Sequence, residues 1–63
     1  MTARLREVLF EFHQVGGYLK VSAVDPITNT EVSIVATPGM DRAALKRMAL
    51  RKLAFVIEKA AAK

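Results

Sequence analysis

Glu11 and His13 are the residues of this 63-residue chain whose types and spacing come nearest to acid–base chemistry. A carboxylate and an imidazole two positions apart on a strand share one face, where one can take up a proton that the other releases. Ser22 and Ser33 offer hydroxyls, yet no adjacent base stands ready to activate either. Asp25 lies in "DPITNT", where its carboxylate serves more simply as a turn former. Cysteine is absent, which removes thiolate nucleophiles and thiolate metal ligands. One histidine does not make a metal site, and Gly16-Gly17 and Gly39 do not compose a phosphate-cradling loop. A Glu–His pair on a flat, exposed sheet has no pocket around it. The sequence therefore reads as a non-enzyme, with no catalytic residue, metal, cofactor or small-molecule substrate.

Strands must position these residues, and residues 7–37 carry the period of two that strands require. In "EVLFEFHQ", Val8, Phe10 and Phe12 share one face, while Glu7, Glu11 and His13 share the other. Gly16-Gly17 follows, a strong signal for a two-residue hairpin because both residues tolerate positive φ. With that turn, Val15 stands opposite Tyr18, Phe12 opposite Val21 and Phe10 opposite Ala23. The second turn, Asp25 to Thr30, has Pro26 to preset φ and Asn29 to adopt the left-handed conformation. It pairs Ala23 with Val32, Val21 with Ile34 and Leu19 with Ala36. Both registers bring apolar residues together on one face, as a half-buried sheet demands.

Pro38-Gly39 stops the third strand, and Asp41 stands where a helix N-cap belongs. Met40 and Leu45 fall at the positions of a hydrophobic staple. From Arg42 onward, alanine, leucine, lysine and arginine dominate, without glycine or proline. The fold class is α+β. A three-stranded antiparallel meander spans about 7–14, 18–24 and 31–37, and one C-terminal helix over about 42–61 packs on one face. The whole chain, residues 1–63, makes a single small domain, with residues 1–6 expected to be poorly ordered.

The helix is where composition and charge concentrate. Residues 1–40 hold Arg4, Arg6 and Lys20 against Glu7, Glu11, Asp25 and Glu31, a sum of −1. Residues 41–63 hold seven basic residues against Asp41 and Glu58, a sum of +5. Projected at about 100° per residue from Leu45, the residues Val56, Ala49, Ala60, Leu53, Ile57 and Leu50 form one stripe, suited to covering the sheet. Arg47, Glu58 and Arg51 form a charged wedge. Beyond it stands a second apolar ridge, Met48 and Phe55, flanked by Lys52 and Lys59.

That ridge requires a cover, either residues 1–6 folded back or another chain. A domain this small buries only about 60% of the surface its unfolded chain exposes, so self-association is a natural compensation where disulfides are lacking. The expected function is a small, non-catalytic protein-interaction module that self-associates through the helix as a homodimer, with Met48, Phe55, Lys52 and Lys59 at the interface and another protein as the fallback partner. The acidic sheet and basic helix could also pair between copies. The alternative is a nucleic-acid-binding accessory protein acting through the basic helix, with Arg47 and Arg51 as anion contacts. Against it, the cations Arg42, Lys46, Arg47, Arg51, Lys52 and Lys59 lie at several angles rather than along one stripe. The outer sheet face carries Glu7, Glu11 and Glu31 against Lys20, which would repel phosphates. A membrane-surface helix is the weaker reading, because the sheet claims the wide apolar face. No stretch approaches ~20 uncharged apolar residues, so no membrane span is expected. Val8-Leu9-Phe10 is cut short by Glu11 and does not read as a secretory signal, so a cytoplasmic location is expected.

"EFHQVGGYLKVSAVDPITNTEVSIV" followed by "LKRMALRKLAFVIEK" resembles a family of short alphaproteobacterial proteins of unknown function. They share a strand–strand–"DP.T..E"–strand–helix layout. The resemblance runs from about Glu7 to Lys59. It implies a bacterial, cytoplasmic origin and a β-β-β-α order, and it brings no activity, ligand or functional residue.

Overall fold

The computed structural model describes residues 7–61. Residues 1–6, expected above to be poorly ordered or else to fold over Met48 and Phe55, lie outside the described residues. Strands β1 (Leu9–Val15), β2 (Tyr18–Asp25) and β3 (Thr30–Ala36) precede one helix, α1 (Arg42–Ala61). The sheet is antiparallel in the order β1-β2-β3. Its register is the one the two turns demand: Phe10↔Ala23, Phe12↔Val21 and Val15↔Tyr18, then Leu19↔Ala36, Val21↔Ile34 and Ala23↔Val32. The strands are offset from the expected bounds by one or two residues at their ends, where turn residues extend or shorten the ladder.

Each turn has its own backbone device. Gly16 takes a φ of 58°, whereas Gly17 does not take a positive one. Only the first central position thus uses the left-handed region, as in a II′ hairpin turn, and the freedom expected of both glycines is needed at Gly16 alone. In the second turn Asn29 is left-handed, with φ at 57°. There the Asp25 carboxylate accepts the Ile27 N–H at 3.2 Å and the Thr28 hydroxyl at 2.8 Å. Asp25 is buried, and these bonds replace the water it gives up. At the third turn Met40 N–H donates to the Thr37 carbonyl across Pro38 and Gly39, whose φ is 101°. Proline then positive-φ glycine is the pattern of a type II turn. Asp41 closes the helix start by accepting the Ala44 N–H at 3.3 Å, three residues on. Met40, placed by its position to staple against Leu45, remains 43% exposed.

The core forms between α1 and the inner sheet face. Leu19, Val21 and Ala23 of β2, Val32 of β3, and Leu45, Ala49 and Leu53 of α1 are buried. The helix residues recur every four positions, so one stripe meets the sheet. Burying a leucine or valine fully contributes about 1.5–3 kcal/mol, and Leu45, Leu53 and Val21 are the largest side chains so buried. α1 lies against β2 and β3. Val8, Phe10 and Phe12 of the first strand region are therefore only partly buried. Within the projected stripe, Val56 and Ile57 are half-buried but Ala60 is exposed. Twenty helical residues extend about 30 Å, whereas strands of seven or eight extend roughly 23–27 Å. The helix is thus longer than the strands it covers.

Candidate interaction surface

The residues nearest to acid–base chemistry are brought together, but in the open. His13 Nε2 lies 3.3 Å from Glu11 Oε1, with the side chains 60% and 70% exposed. Such a pair is screened by water. Ser22 and Ser33 meet across β2 and β3 with their hydroxyls 3.2 Å apart, so each is the other's partner. Asp25 is committed to the turn. Among the described residues no group of three or more His, Cys, Asp or Glu side chains is arranged to hold a metal ion.

The outer sheet face exposes Leu9, Val15, Tyr18 and Val35. Val15 stands opposite Tyr18 and Leu9 opposite Val24, and Glu11, His13 and Lys20 lie between these two apolar pairs. The β3 flank of α1 differs. Met48 is 47% exposed and Phe55 63%, and with Arg51 and Lys52 they line an open groove of about 400 Å³. Seven residues separate Met48 from Phe55, nearly two helical turns, so the two stand in line along the axis.

Two cations fasten the margins of this flank. Lys52 Nζ donates to the Ser33 carbonyl at 2.8 Å. Antiparallel residues alternate between bonding toward a neighbour and pointing away, so this carbonyl belongs to the free edge of β3. A lysine over an edge carbonyl obstructs pairing by another strand. Lys59 Nζ lies 5.8 Å from the centre of the Phe55 ring. On the opposite flank, Arg42 covers the Phe12 ring at 4.7 Å and Lys46 the Phe10 ring at 5.6 Å. Four of the six helix cations thus have an intramolecular contact. Arg47 and Arg51 are exposed and make no hydrogen bond or ion pair among the described residues.

The structure accordingly joins Met48, Lys52 and Phe55 with Arg51 in one groove, places Lys59 over its far end, and sets Arg47 apart on the solvent side. Sequence reasoning assigned Lys52 to this flank by angle but missed its bond to the sheet edge. It also missed that Arg42 and Lys46 shield the two phenylalanines. Helical angle carried part of the second signal, since Lys46 projects within the sheet-facing arc. The lateral placement of α1 carried the rest.

These features define a small α+β domain with a covered sheet face and an apolar, cation-rimmed helix flank. The chain belongs to the family described as "Domain of unknown function (DUF6898)", whose model matches residues 5–60. The β-β-β-α order implied by the resemblance is the order observed. No curated protein and no solved structure matches the chain. No helix among the described residues is long and apolar enough to cross a membrane.

Proposed function

We propose that the protein is a small, non-catalytic protein-interaction module that docks through the Met48–Phe55 flank of α1, within a bacterial cytoplasm. The observation that carries this reading is the pair of large apolar side chains, 47% and 63% exposed, in line on a helix whose other stripe is already buried. Water contact with such a ridge is unfavourable, and a docked chain removes it. A second copy of the chain and a different protein both satisfy this requirement. The compartment rests on the resemblance to short alphaproteobacterial proteins.

A photo-crosslinking side chain placed at Met48, with Lys20 on the outer sheet face as the control position, tests the reading in living cells. Protein adducts are expected from position 48 and not from position 20, and Phe55→Glu should remove them. Adducts from position 20 alone, or none from either, would overturn the assignment.

Nucleic-acid binding through the basic helix is the second reading, favoured by the uncommitted Arg47 and Arg51. It requires binding that weakens steeply with salt and is abolished by Arg47→Glu/Arg51→Glu. Absence of a mobility shift with DNA or RNA at low salt removes it.

A further inference from the structure

We infer that the Met48–Phe55 groove receives an acidic amphipathic helix of a different protein, one that presents apolar anchors flanked by Asp or Glu. This rests on the reading of that flank as a docking surface and narrows it to one chemistry.

The argument begins with the position of the cations. Arg51 and Lys52 line the groove together with Met48 and Phe55, and Lys59 stands against the Phe55 ring. Projected around the axis, the ridge lies at about 280–300°, with Arg51 near 240° on one side and Lys59 and Lys52 near 320–340° on the other. Cations therefore border the apolar strip on both sides, with Glu58 at about 220° next to Arg51. An incoming helix that buries the strip must lay its own flanks beside them, and carboxylates there complete the pairing.

A second copy of α1 fits poorly for a geometric reason. The midpoint between Met48 and Phe55 falls between residues 51 and 52. Twofold antiparallel packing of Met48 on the partner's Phe55 would put the axis there, collecting both copies of Arg51 and Lys52 at the centre. Parallel packing would set the flank that bears Arg51 in one copy beside the flank that bears Lys52 and Lys59 in the other. Either arrangement juxtaposes like charges, and Glu58 lies outside the groove, on the far side of Arg51. A strand added to the neighbouring β3 edge meets Lys52 on the Ser33 carbonyl. Nucleic acid would neutralise the cations, but phosphates would leave the apolar ridge uncovered. A helix with both apolar and acidic side chains answers both features.

A display library of helical peptides, randomised at the anchor positions and their flanks, provides the probe. Selection on the wild-type protein should enrich Leu-, Met- or Phe-type anchors at a seven-residue spacing, bordered by Asp or Glu. Arg51→Glu/Lys52→Glu, with its fold checked by circular dichroism, should weaken these peptides by about tenfold and shift the enriched flanks to Lys and Arg. Amide shifts induced by a selected peptide should map to Met48, Arg51, Lys52 and Phe55. Uncharged flanks, a consensus unmoved by the charge reversal, or no ridge-dependent binder would overturn the inference. So would a DNA duplex that moves the same resonances more tightly than the peptides, or a wild-type dimer in ultracentrifugation that Phe55→Glu dissociates. Crosslinks from position 48 to a partner segment without acidic flanks would preserve the docking surface while overturning its assigned occupant.

Discussion

The two flanks of α1 use the same chemical pairing to opposite ends. On the β1 side, Arg42 and Lys46 come from the helix and the phenylalanine rings from the strand, at 4.7 and 5.6 Å. Each contact ties one element to another and shields a half-buried ring. On the β3 side, Lys59 and Phe55 belong to the same helix, four residues apart. That contact holds no elements together and leaves the ring 63% exposed. A cation over a ring closes a core when the partners come from different elements. When they come from one element it decorates a surface.

Three substitutions and two double-mutant cycles separate the interior, the closed flank and the open flank. Leu53→Ala should have the largest effect, about 3 kcal/mol lost in urea unfolding, because it opens a cavity beneath the helix. That is a large part of the stability of a domain this small. Phe12→Ala should lose about 1.5 kcal/mol as a partly buried aromatic is truncated. Comparable losses from Phe12→Ala and Leu53→Ala would mean that the first strand is as firmly covered as the second.

Coupling between the cation and ring comes next. A double-mutant cycle of Arg42→Ala with Phe12→Leu should give about 0.5–1 kcal/mol of interaction energy. The cycle of Lys59→Ala with Phe55→Leu should fall near 0.3 kcal/mol, as expected of an exposed pair four residues apart on one helix. Equal couplings would erase the contrast between the flanks. Of the three single substitutions the smallest effect belongs to Phe55→Ala, which should change unfolding free energy by less than about 0.5 kcal/mol. A larger loss would place Phe55 in the fold rather than on a docking surface.

Much of the fold was legible because its turns and its pattern agree. Gly16-Gly17 and Asp25–Thr30 each define a register, and the alternation of Phe10, Phe12, Val21, Ala23, Val32 and Ile34 supports both. Proline, glycine and aspartate at positions 38, 39 and 41 mark the boundary before the helix by local chemistry alone. The two ridges of α1 were also legible, because helical angle depends on spacing and nothing else. Contacts between distant residues were not. The Lys52 ammonium reaches the Ser33 carbonyl across 19 positions, and no local pattern records that approach.

The sequence by itself determined the element order, the register of the three strands and the existence of a second apolar ridge. These depend on local backbone preferences and on the periods of strand and helix. Tertiary structure decided where α1 lies over the sheet. By resting against β2 and β3 it left Phe10 and Phe12 to be closed by cations, and it brought Lys52 to the β3 edge. It also decided which cations remain uncommitted, because a side chain's partners follow from the packing of whole elements. Met48, Arg51, Lys52 and Phe55 stand together by helical spacing alone; the folded chain decided that the sheet covers the other stripe and leaves Met48 and Phe55 exposed.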